Sequence, residues 1–258
     1  MTDRSDTVEE IEFIARSTNR VRILETLSER QGATRGELRD ELAASRTTVA
    51  RNLDALGERG WVRQIDREYA LTPGTDAVVD RFLDLESTVA TVDRLRPFLE
   101  HVDRDAFDVD LSRLEDATVV AATPGDPLAM VNAHVSAIKR STDVALAVPF
   151  LGLHATEAAR DAVVDGGARV ELVAAPDAVD TFEESPDYRQ YVDDLQDAEN
   201  FELHRATADV PFYVGVLDDA VQVGVDEAGE PRALLETTDP GVRDWAREKI
   251  DSFRRPER

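Results

Sequence analysis

Residues 32–74 read GATRGELRDELAASRTTVARNLDALGERGWVRQIDREYALTPG and decide the fold expected for the N-terminal part of the chain. Thr34 and Glu37 have the spacing of a capping box, in which a hydroxyl and a carboxylate satisfy each other's backbone amides at a helix start. Ser45 is a second N-cap candidate. Gly60 is a candidate left-handed residue at the end of the helix that Ser45 opens. The stretch predicts a short capped helix, a turn and a longer capped helix.

Two further helices precede this pair and a hairpin follows it. The apolar spacing predicts helices over residues 8–17 and 19–30. Residues 61–65 and 68–71 have the composition of two short strands, with Arg67 in the turn between them. This order is that of a winged helix-turn-helix, whose second helix of the pair enters the major groove of DNA.

The second helix of the pair has one apolar side and one polar side. On a helical wheel Val49, Leu53 and Leu56 lie together, while Thr47 and Arg51 point the other way. An arginine there can donate two hydrogen bonds to guanine, and a helix start can hold a phosphate. The predicted DNA-binding residues come from the two helix starts, the polar face and the hairpin: Thr34, Arg35, Ser45, Arg46, Thr47, Thr48, Arg51, Arg63 and Arg67. A purely structural or protein-docking module remains the alternative.

The charge is unevenly distributed. The chain carries a formal net charge of −24, with only two lysines, Lys139 and Lys249. Acidic, lysine-poor surfaces suit proteins that stay soluble in molar salt, so we interpret the acidity as a halophilic adaptation. Residues 1–72 hold 12 basic and 14 acidic residues, against 18 and 40 in the remainder. This relief of negative charge is expected where a domain must approach phosphates.

Composition also limits the classes of site and of location. The absence of cysteine excludes disulfides and thiolate metal sites, and the four histidines have no metal-ligand spacing. No cofactor or metal is therefore predicted. There is neither an apolar run of membrane-spanning length nor a leader-like segment. We expect a cytoplasmic protein without a membrane partner.

Residues 73–115 form the predicted helical linker. The helix expected over residues 78–102 has apolar residues at alternating spacings of four and three: Val78, Phe82, Leu85, Val89, Val92 and Leu99. That spacing is typical of a helix that pairs with another helix and predicts a homodimer. Pro97 is expected to kink or restart the helix. Alternatively, this helix packs on the C-terminal domain of its own chain.

Residues 116–258 alternate between β-rich runs and helical stretches. Strands are predicted at 117–122, 144–148, 170–174, 201–205, 212–217 and 221–225, and a closing helix follows Pro240. The alternation predicts an α/β domain with a mainly parallel sheet. Pro149 and Phe150 follow a strand at the edge where open α/β sheets bind ligands, which makes this edge a candidate effector site.

The quoted stretch resembles the winged-helix domain of archaeal, halophile-type transcription regulators, through its S-R-T-T-V turn and its L-G-E-R-G-W-V exit. The segments ALAVPFLG, GGARVELVAAPDAV, VPFYVGVLDDAVQVGV and TTDPGVRDWAREKIDSF are similar to the methanogenesis-regulator-like domain that follows such winged helices. The resemblance implies a transcription regulator with a C-terminal sensing or dimerising domain. It implies no particular ligand.

Archaeal sugar-sensing regulators of the TrmB type carry a phospholipase-D-like domain, whose chemistry uses His-x-Lys followed by Asp. Here His134 lies five residues before Lys139, so that spacing fails. No nucleophile elbow or P-loop is present either. The prediction is a non-enzymatic regulator that binds double-stranded DNA as a homodimer, with a small molecule as its conceivable effector. A DNA-tethered phosphodiesterase and an architectural or adaptor protein are the alternatives.

Overall fold

A computed structural model describes residues 4–254. Within it the chain forms two compact units, divided between Ser87 and Thr88. The three-part division into 1–72, 73–115 and 116–258 stays a prediction, and the outermost residues of its first and last parts lie outside the described residues.

The first unit consists of helices and a small sheet. Its helices are α1 (Arg4–Ala15), α2 (Thr18–Arg30), α3 (Arg35–Leu42), α4 (Arg46–Glu58) and the beginning of α5 (Thr75–Leu99). Its strands are β1 (Ala33–Thr34), β2 (Val62–Ile65) and β3 (Glu68–Leu71), in the antiparallel order β1-β3-β2. The two-residue strand β1 was not predicted, because so short a segment carries no alternating pattern.

The predicted caps set the bounds of α3 and α4. The Thr34 hydroxyl accepts a hydrogen bond from the Glu37 amide, and the Glu37 carboxylate accepts one from the Thr34 amide at 2.7 Å. Ala43 then ends α3 in a left-handed conformation with φ of 49°. The Ser45 hydroxyl accepts from the Thr48 amide at 3.1 Å. Gly60, with φ of 76°, has the predicted left-handed conformation two residues after α4 ends.

One apolar core holds the first unit together. Its fully buried large side chains come from the inner faces of α1 to α4: Ile14, Ile23, Leu24, Leu27, Leu38, Leu53 and Leu56. Val62 and Tyr69 add the inner side of the hairpin. The face predicted to be apolar in α4, with Val49, Leu53 and Leu56, is therefore the face that the structure buries.

Helix α5 differs from the continuous apolar stripe that was predicted. Val78, Leu85 and Val89 are exposed, whereas the partly buried Phe82 packs against the core of the first unit. Near its end, Leu95 and Phe98 are buried in the core of the second unit. Pro97 neither restarts nor ends the helix, which continues to Leu99. The last turn tolerates it because only one backbone hydrogen bond is lost there.

The second unit alternates strands and helices and closes with a long helix. Its strands are β4 (Thr118–Ala121), β5 (Asp143–Val148), β6 (Arg169–Ala174), β7 (Phe201–Arg205), β8 (Tyr213–Leu217), β9 (Ala220–Glu227) and β10 (Glu230–Thr237). Its helices are α6 (Ala129–Arg140), α7 (Leu153–Arg160), α8 (Pro176–Glu184), α9 (Arg189–Gln196) and α10 (Pro240–Arg254). A 3-10 turn, Leu111–Leu114, precedes β4, and a π-helical turn, Asp161–Asp165, extends α7.

The seven strands form one mixed sheet in the order β4-β10-β9-β8-β5-β6-β7. The pairs β5-β6 and β6-β7 are parallel, as expected where helices connect the strands. The other four pairings are antiparallel, and tight turns join two of these pairs, β8-β9 and β9-β10. A mainly parallel sheet was predicted, and the parallel pairing is confined to β5, β6 and β7.

Strand β10, which was not predicted, lies between β4 and β9. Its sequence contains Pro231, which cannot donate to a ladder and normally argues against a strand. The register shifts between Pro231 and Ala233, so a bulge accommodates the proline.

Each face of the sheet is covered by its own core. On one face, strand residues such as Val214, Val221 and Leu235 pack with the α10 residues Ala246 and Ile250. On the other face, strand residues pack against the helices α6 to α9. This three-layer arrangement leaves the ends of the strands to form a site.

Candidate nucleic-acid interface

The outward face of α4 is polar and stands free of the core. Thr47 and Arg51 are exposed, whereas Val49, Leu53 and Leu56 on the opposite face are almost completely buried. The Ser45 cap also bonds the hydroxyl of Thr48, at 2.9 Å between the two oxygens. Ser45 and Thr48 thus fix the first turn, and Thr47 and Arg51 project outward from it.

Four arginines of the first unit lie on α4 and the hairpin. Arg46 and Arg51 on α4, Arg63 on β2 and Arg67 in the hairpin turn are exposed. None of the four forms an ion pair or hydrogen bond with another residue in the 4–254 range. By contrast, Arg16, Arg30 and Arg39 each pair with a nearby carboxylate. In so acidic a chain, four unpaired cations on α4 and the hairpin that contacts it are available to an external anion.

Arg35 was predicted to contact DNA, but it is already engaged within the protein. Its Nε donates to the hydroxyl of Tyr69 at 2.8 Å, and its guanidinium lies 3.6 Å from the Asp54 carboxylate. The Tyr69 hydroxyl in turn donates to Gln64 at 3.1 Å. Arg35 therefore connects α3 to both strands of the hairpin. Thr34 is engaged as well, since its hydroxyl and amide both donate to Glu37.

A second group of arginines lies beside Arg51. Arg20 and Arg59 stack on the two sides of Phe13, 4.0 and 4.2 Å from the ring centre, and Arg59 pairs with Glu10. Burial, together with the positive charges of Arg59 and Arg51, lowers the pKa of Arg20. Arg51 is thus close enough to Arg20 to add to one positive region.

The sequence did not single out Asn52, a buried polar residue on the inner side of α4. Its side-chain amide donates to the Thr48 carbonyl at 2.8 Å, and its oxygen accepts from the Ser17 hydroxyl at 3.4 Å. Ser17 precedes α2, so Asn52 fixes the rotation of α4 relative to that helix. An asparagine among apolar wheel positions was the available signal.

His134 and Lys139, the two residues with the wrong spacing for a phospholipase-D-type site, contact different partners. His134 Nδ1 is 3.0 Å from the Gln222 side-chain oxygen, whereas the Lys139 ammonium lies 3.7 Å from Asp161. Across residues 4–254 no group of three His, Asp or Glu side chains could hold a metal ion. Among these same residues, no helix is both long and apolar enough to cross a membrane.

Comparison with known families accounts for much of the chain. Residues 8–94 match the family described as the HVO_A0261 N-terminal domain. Residues 127–256, half of the chain, match the family described as the methanogenesis regulatory protein FilR1, middle domain. The chain belongs to this FilR1 family. Its match spans the chain from just before α6 to beyond α10, while the HVO_A0261 match ends within α5. No curated protein sequence matches the chain.

Similar solved structures are distant in sequence and geometry. TrmBL2, described as an archaeal chromatin protein with a novel mode of DNA binding, is 13% identical, with 91% of each chain covered and a TM-score of 0.39. NucT from Helicobacter pylori is 14% identical over 53% of this chain and 96% of its own, with a TM-score of 0.40. Nuc from Salmonella typhimurium, a phospholipase D family member, is also 14% identical, over 53% of this chain and 93% of its own, with a TM-score of 0.40.

Proposed function

We propose that the protein is a transcription regulator that binds specific sequences of double-stranded DNA through a winged helix-turn-helix in its first unit. The observation that carries this proposal is the set of four exposed, unpaired arginines on α4 and the hairpin. These four lie on one helix and on the hairpin that contacts it, within residues 1–72, which hold 12 basic and 14 acidic residues in a chain of net charge −24, and they therefore suit an external anion. We call Arg46, Arg51, Arg63 and Arg67 the basic surface.

The helix pair supports entry of α4 into the major groove. An α-helix fits that groove, which is about 12 Å wide, and the N-terminal residues of the entering helix contact the base edges. Thr47 and Arg51 occupy that part of α4. Arg46 at the helix start and Arg63 and Arg67 on the hairpin would contact phosphates, which position the protein without reading sequence.

Membership of the FilR1 family supports a regulatory role for the second unit. We propose that this unit senses an effector and that the protein acts as a homodimer, with α5 contributing to the interface. Val78 and Leu85 are seven residues apart on α5 and about half exposed, at 47% and 56%. Apolar residues at that spacing are typical of paired helices. Each DNA-binding unit would then read one half of a pseudo-palindrome.

We propose that the protein is not an enzyme. A phospholipase-D-type site needs a histidine and a lysine that act on one phosphate, whereas His134 and Lys139 are bonded to different partners, Gln222 and Asp161. The alternative of an architectural protein differs in its DNA preference, since such a protein would bind most sequences with similar affinity.

Selection of bound sequences from a random DNA library, in molar potassium chloride, tests the proposal. A single enriched motif is expected for the wild-type chain. The triple variant R46A/R51A/R63A should bind that motif about 100-fold or more weakly, because each lost contact costs about 1–3 kcal/mol for a base or less for a phosphate. The control variant R16A/R30A/R39A removes three ion-paired arginines of the same unit and should retain affinity. Recovery of no motif, or equal losses in both variants, would contradict the proposal.

A further inference from the structure

A cavity of about 160 Å³ lies inside the second unit, between the sheet and the helices α6 and α7. Nearly all of its wall is apolar, with Met130, Ile138, Leu146, Phe150, Ala155 and Phe182 among the lining residues. An apolar cavity of about 150 Å³ in another protein stays dry and takes up benzene. This one therefore has room for a substituted benzene ring or a molecule of similar size.

Part of the cavity wall lies at the end of β5. The segment Pro149–Gly152 follows that strand and forms part of the wall. The Tyr188 hydroxyl donates to the Leu151 carbonyl at 3.1 Å and so holds the segment in place. Phe150, 40% exposed, lies partly in solvent beside the cavity. This is the carboxyl edge of the parallel strands, where open α/β sheets bind ligands.

One end of the cavity is polar, and its hydrogen bonds fix the proton positions. The Gln222 side-chain amide nitrogen donates to the Glu236 carboxylate at 2.7 Å, so the Gln222 side-chain oxygen is an acceptor. That oxygen accepts a hydrogen bond from the Tyr213 hydroxyl at 3.3 Å and lies 3.0 Å from His134 Nδ1. Nδ1 must therefore carry a proton.

The other ring nitrogen of His134 is then an acceptor. Burial lowers the pKa of His134, against the opposing effect of the Gln222 hydrogen bond, and so favours the neutral ring. A neutral ring protonated at Nδ1 leaves Nε2 with a free lone pair. Nε2 has no hydrogen-bond partner among residues 4–254, and the His134 ring lines the cavity.

Two glycines make room for this polar end. A Cβ at Gly215 would lie 2.3 Å from the Tyr213 hydroxyl oxygen, and a Cβ at Gly224 would lie 3.0 Å from the Tyr213 ring. Gly215 is paired with Gln222 on the neighbouring strand, and Gly224 with Tyr213. Each glycine stands where a side chain would displace the Tyr213 ring. The polar end is therefore built into the strands, and it is not a chance gap between helices.

We propose that this cavity binds a small, largely apolar molecule with a single hydrogen-bond-donating group, such as a hydroxyl, which donates to Nε2 of His134. The apolar body fills the space between α6, α7 and the sheet. Sugars and other polyols are excluded, because most of their hydroxyls would lose their water without gaining a partner. Binding itself is independent of the proposed function. Only the role of the ligand as an effector of DNA binding rests on it.

Isothermal titration calorimetry of the full chain with 4-methylphenol and with toluene tests the proposal, because the two probes differ only in the hydroxyl. We expect one molecule of 4-methylphenol to bind per chain, at least tenfold more tightly than toluene. In His134→Phe, which keeps an aromatic ring but has no acceptor, 4-methylphenol should lose at least tenfold in affinity while toluene loses little. A wild-type chain that binds neither probe, or equal affinities for both, would overturn the proposal.

A second pair of variants keeps the test valid if His134→Phe fails to fold. Ala155, on the side of α7 that lines the cavity, has room for a larger side chain, so Ala155→Phe should fill the cavity and abolish binding of both probes. Leu153 lies on the same helix but is exposed and is not part of the cavity wall. The control variant Leu153→Phe should therefore bind both probes as the wild type does. Unchanged binding in Ala155→Phe would place the ligand elsewhere. DNA affinity is measured separately. Absence of probe binding to the wild type, with specific DNA binding intact, would count against the ligand site, whereas probe binding without specific DNA binding would count against the proposed function.

Discussion

The Nε of Arg35 donates a hydrogen bond to the hydroxyl of Tyr69 at 2.8 Å, joining the start of α3 to the hairpin strand β3. Since Tyr69 also donates to Gln64 on β2, the three side chains form one connected path. Tyr69 is buried and its ring lies 5.3 Å from the guanidinium of Arg35. Arg35 thus has a positioning role for the hairpin, in addition to any contact with DNA.

Replacing Tyr69 by Phe keeps the buried ring and removes this hydroxyl. The loss should cost about 0.5–1.5 kcal/mol of stability, because Arg35 and Gln64 remain near solvent and can bond to water. Urea unfolding followed by Trp61 fluorescence, in a Trp245→Phe background, measures the first unit. Arg63→Ala, which removes an exposed arginine without a protein partner, should change stability by less than about 0.5 kcal/mol. Equal losses of stability in Tyr69→Phe and Arg63→Ala would show that the Arg35–Tyr69 hydrogen bond does not stabilise the first unit.

A carboxylate in the turn between β8 and β9 should govern the acid stability of the second unit. Asp218 accepts hydrogen bonds from the amides of Thr142 and Asp143, both at 3.0 Å. Burial alone would raise its pKa, but these hydrogen bonds outweigh it and lower the pKa. A lowered pKa in the folded state means that its stabilisation is complete above the ordinary aspartate pKa. It is lost as the pH falls through the folded value.

Asp218→Asn should therefore lower stability near neutral pH by about 1 kcal/mol, the typical contribution of such hydrogen bonds. Asparagine tolerates the left-handed conformation of this residue, whose φ is 51°, so the change removes charge without backbone strain. The variant should also lose stability less steeply on acidification, as measured by urea unfolding with Trp245 fluorescence. Asp219→Asn removes only an exposed ion pair with Arg243 and serves as the control. A steeper acid dependence in the Asp218 variant would contradict the assignment.

The exposed apolar residues of α5 predict the site of dimerisation. Placing Asp at both Val78 and Leu85 would put unpaired charges into a helix–helix interface, which is strongly unfavourable. Light scattering in molar salt should then show a monomer. Phe82 is left unchanged, because it packs against the core of the first unit. Val8→Asp with Ile11→Asp changes two similarly exposed apolar residues on α1 and should leave the dimer intact. A dimeric α5 variant would place the interface elsewhere.

The sequence predicted those parts of the fold that local chemistry determines. The Thr34–Glu37 capping box, the Ser45 cap and the left-handed Gly60 lie where the spacing indicated, since each depends on residues within one helical turn. Strand β10 was missed because Pro231 and three charged residues hide its strand character, and only its position between β4 and β9 makes it a strand. Local pattern also could not reveal which distant strands pair, such as β5 with β8 or β4 with β10.

The candidate sites divide in the same way. The exposed face of α4 follows directly from helical periodicity, and the four unpaired arginines of α4 and the hairpin were all singled out in advance. Arg35 was singled out as well, but its bond to Tyr69 crosses 34 residues of sequence and could not be inferred from spacing. Likewise, Pro149 and Phe150 were singled out in advance, and both line the cavity. The bond between His134 and Gln222, 88 residues apart, had no sequence signal.

The last prediction separates base reading from phosphate binding on α4. Arg51 projects from the exposed face near the helix start, and Arg46 stands at the start itself. If Arg51 donates two hydrogen bonds to a guanine, the affinity lost on its removal should depend on one base pair of the operator. If Arg46 contacts a phosphate, its loss should be the same for every sequence and should reduce the salt dependence by about one unit.

Arg51→Ala should therefore cost about 1–3 kcal/mol on the preferred operator and much less on the variant operator that already lacks the contacted guanine. Fluorescence anisotropy at one fixed salt concentration, with operators in which each base pair is changed in turn, measures both losses. A fixed concentration is needed because uptake of ions by the acidic surface can offset their release from DNA. Arg46→Ala is the matched control, with one parallel loss across all operators. A uniform loss for Arg51→Ala would show that Arg51 contacts a phosphate and not a base. No loss at all would show that α4 does not bind in the major groove.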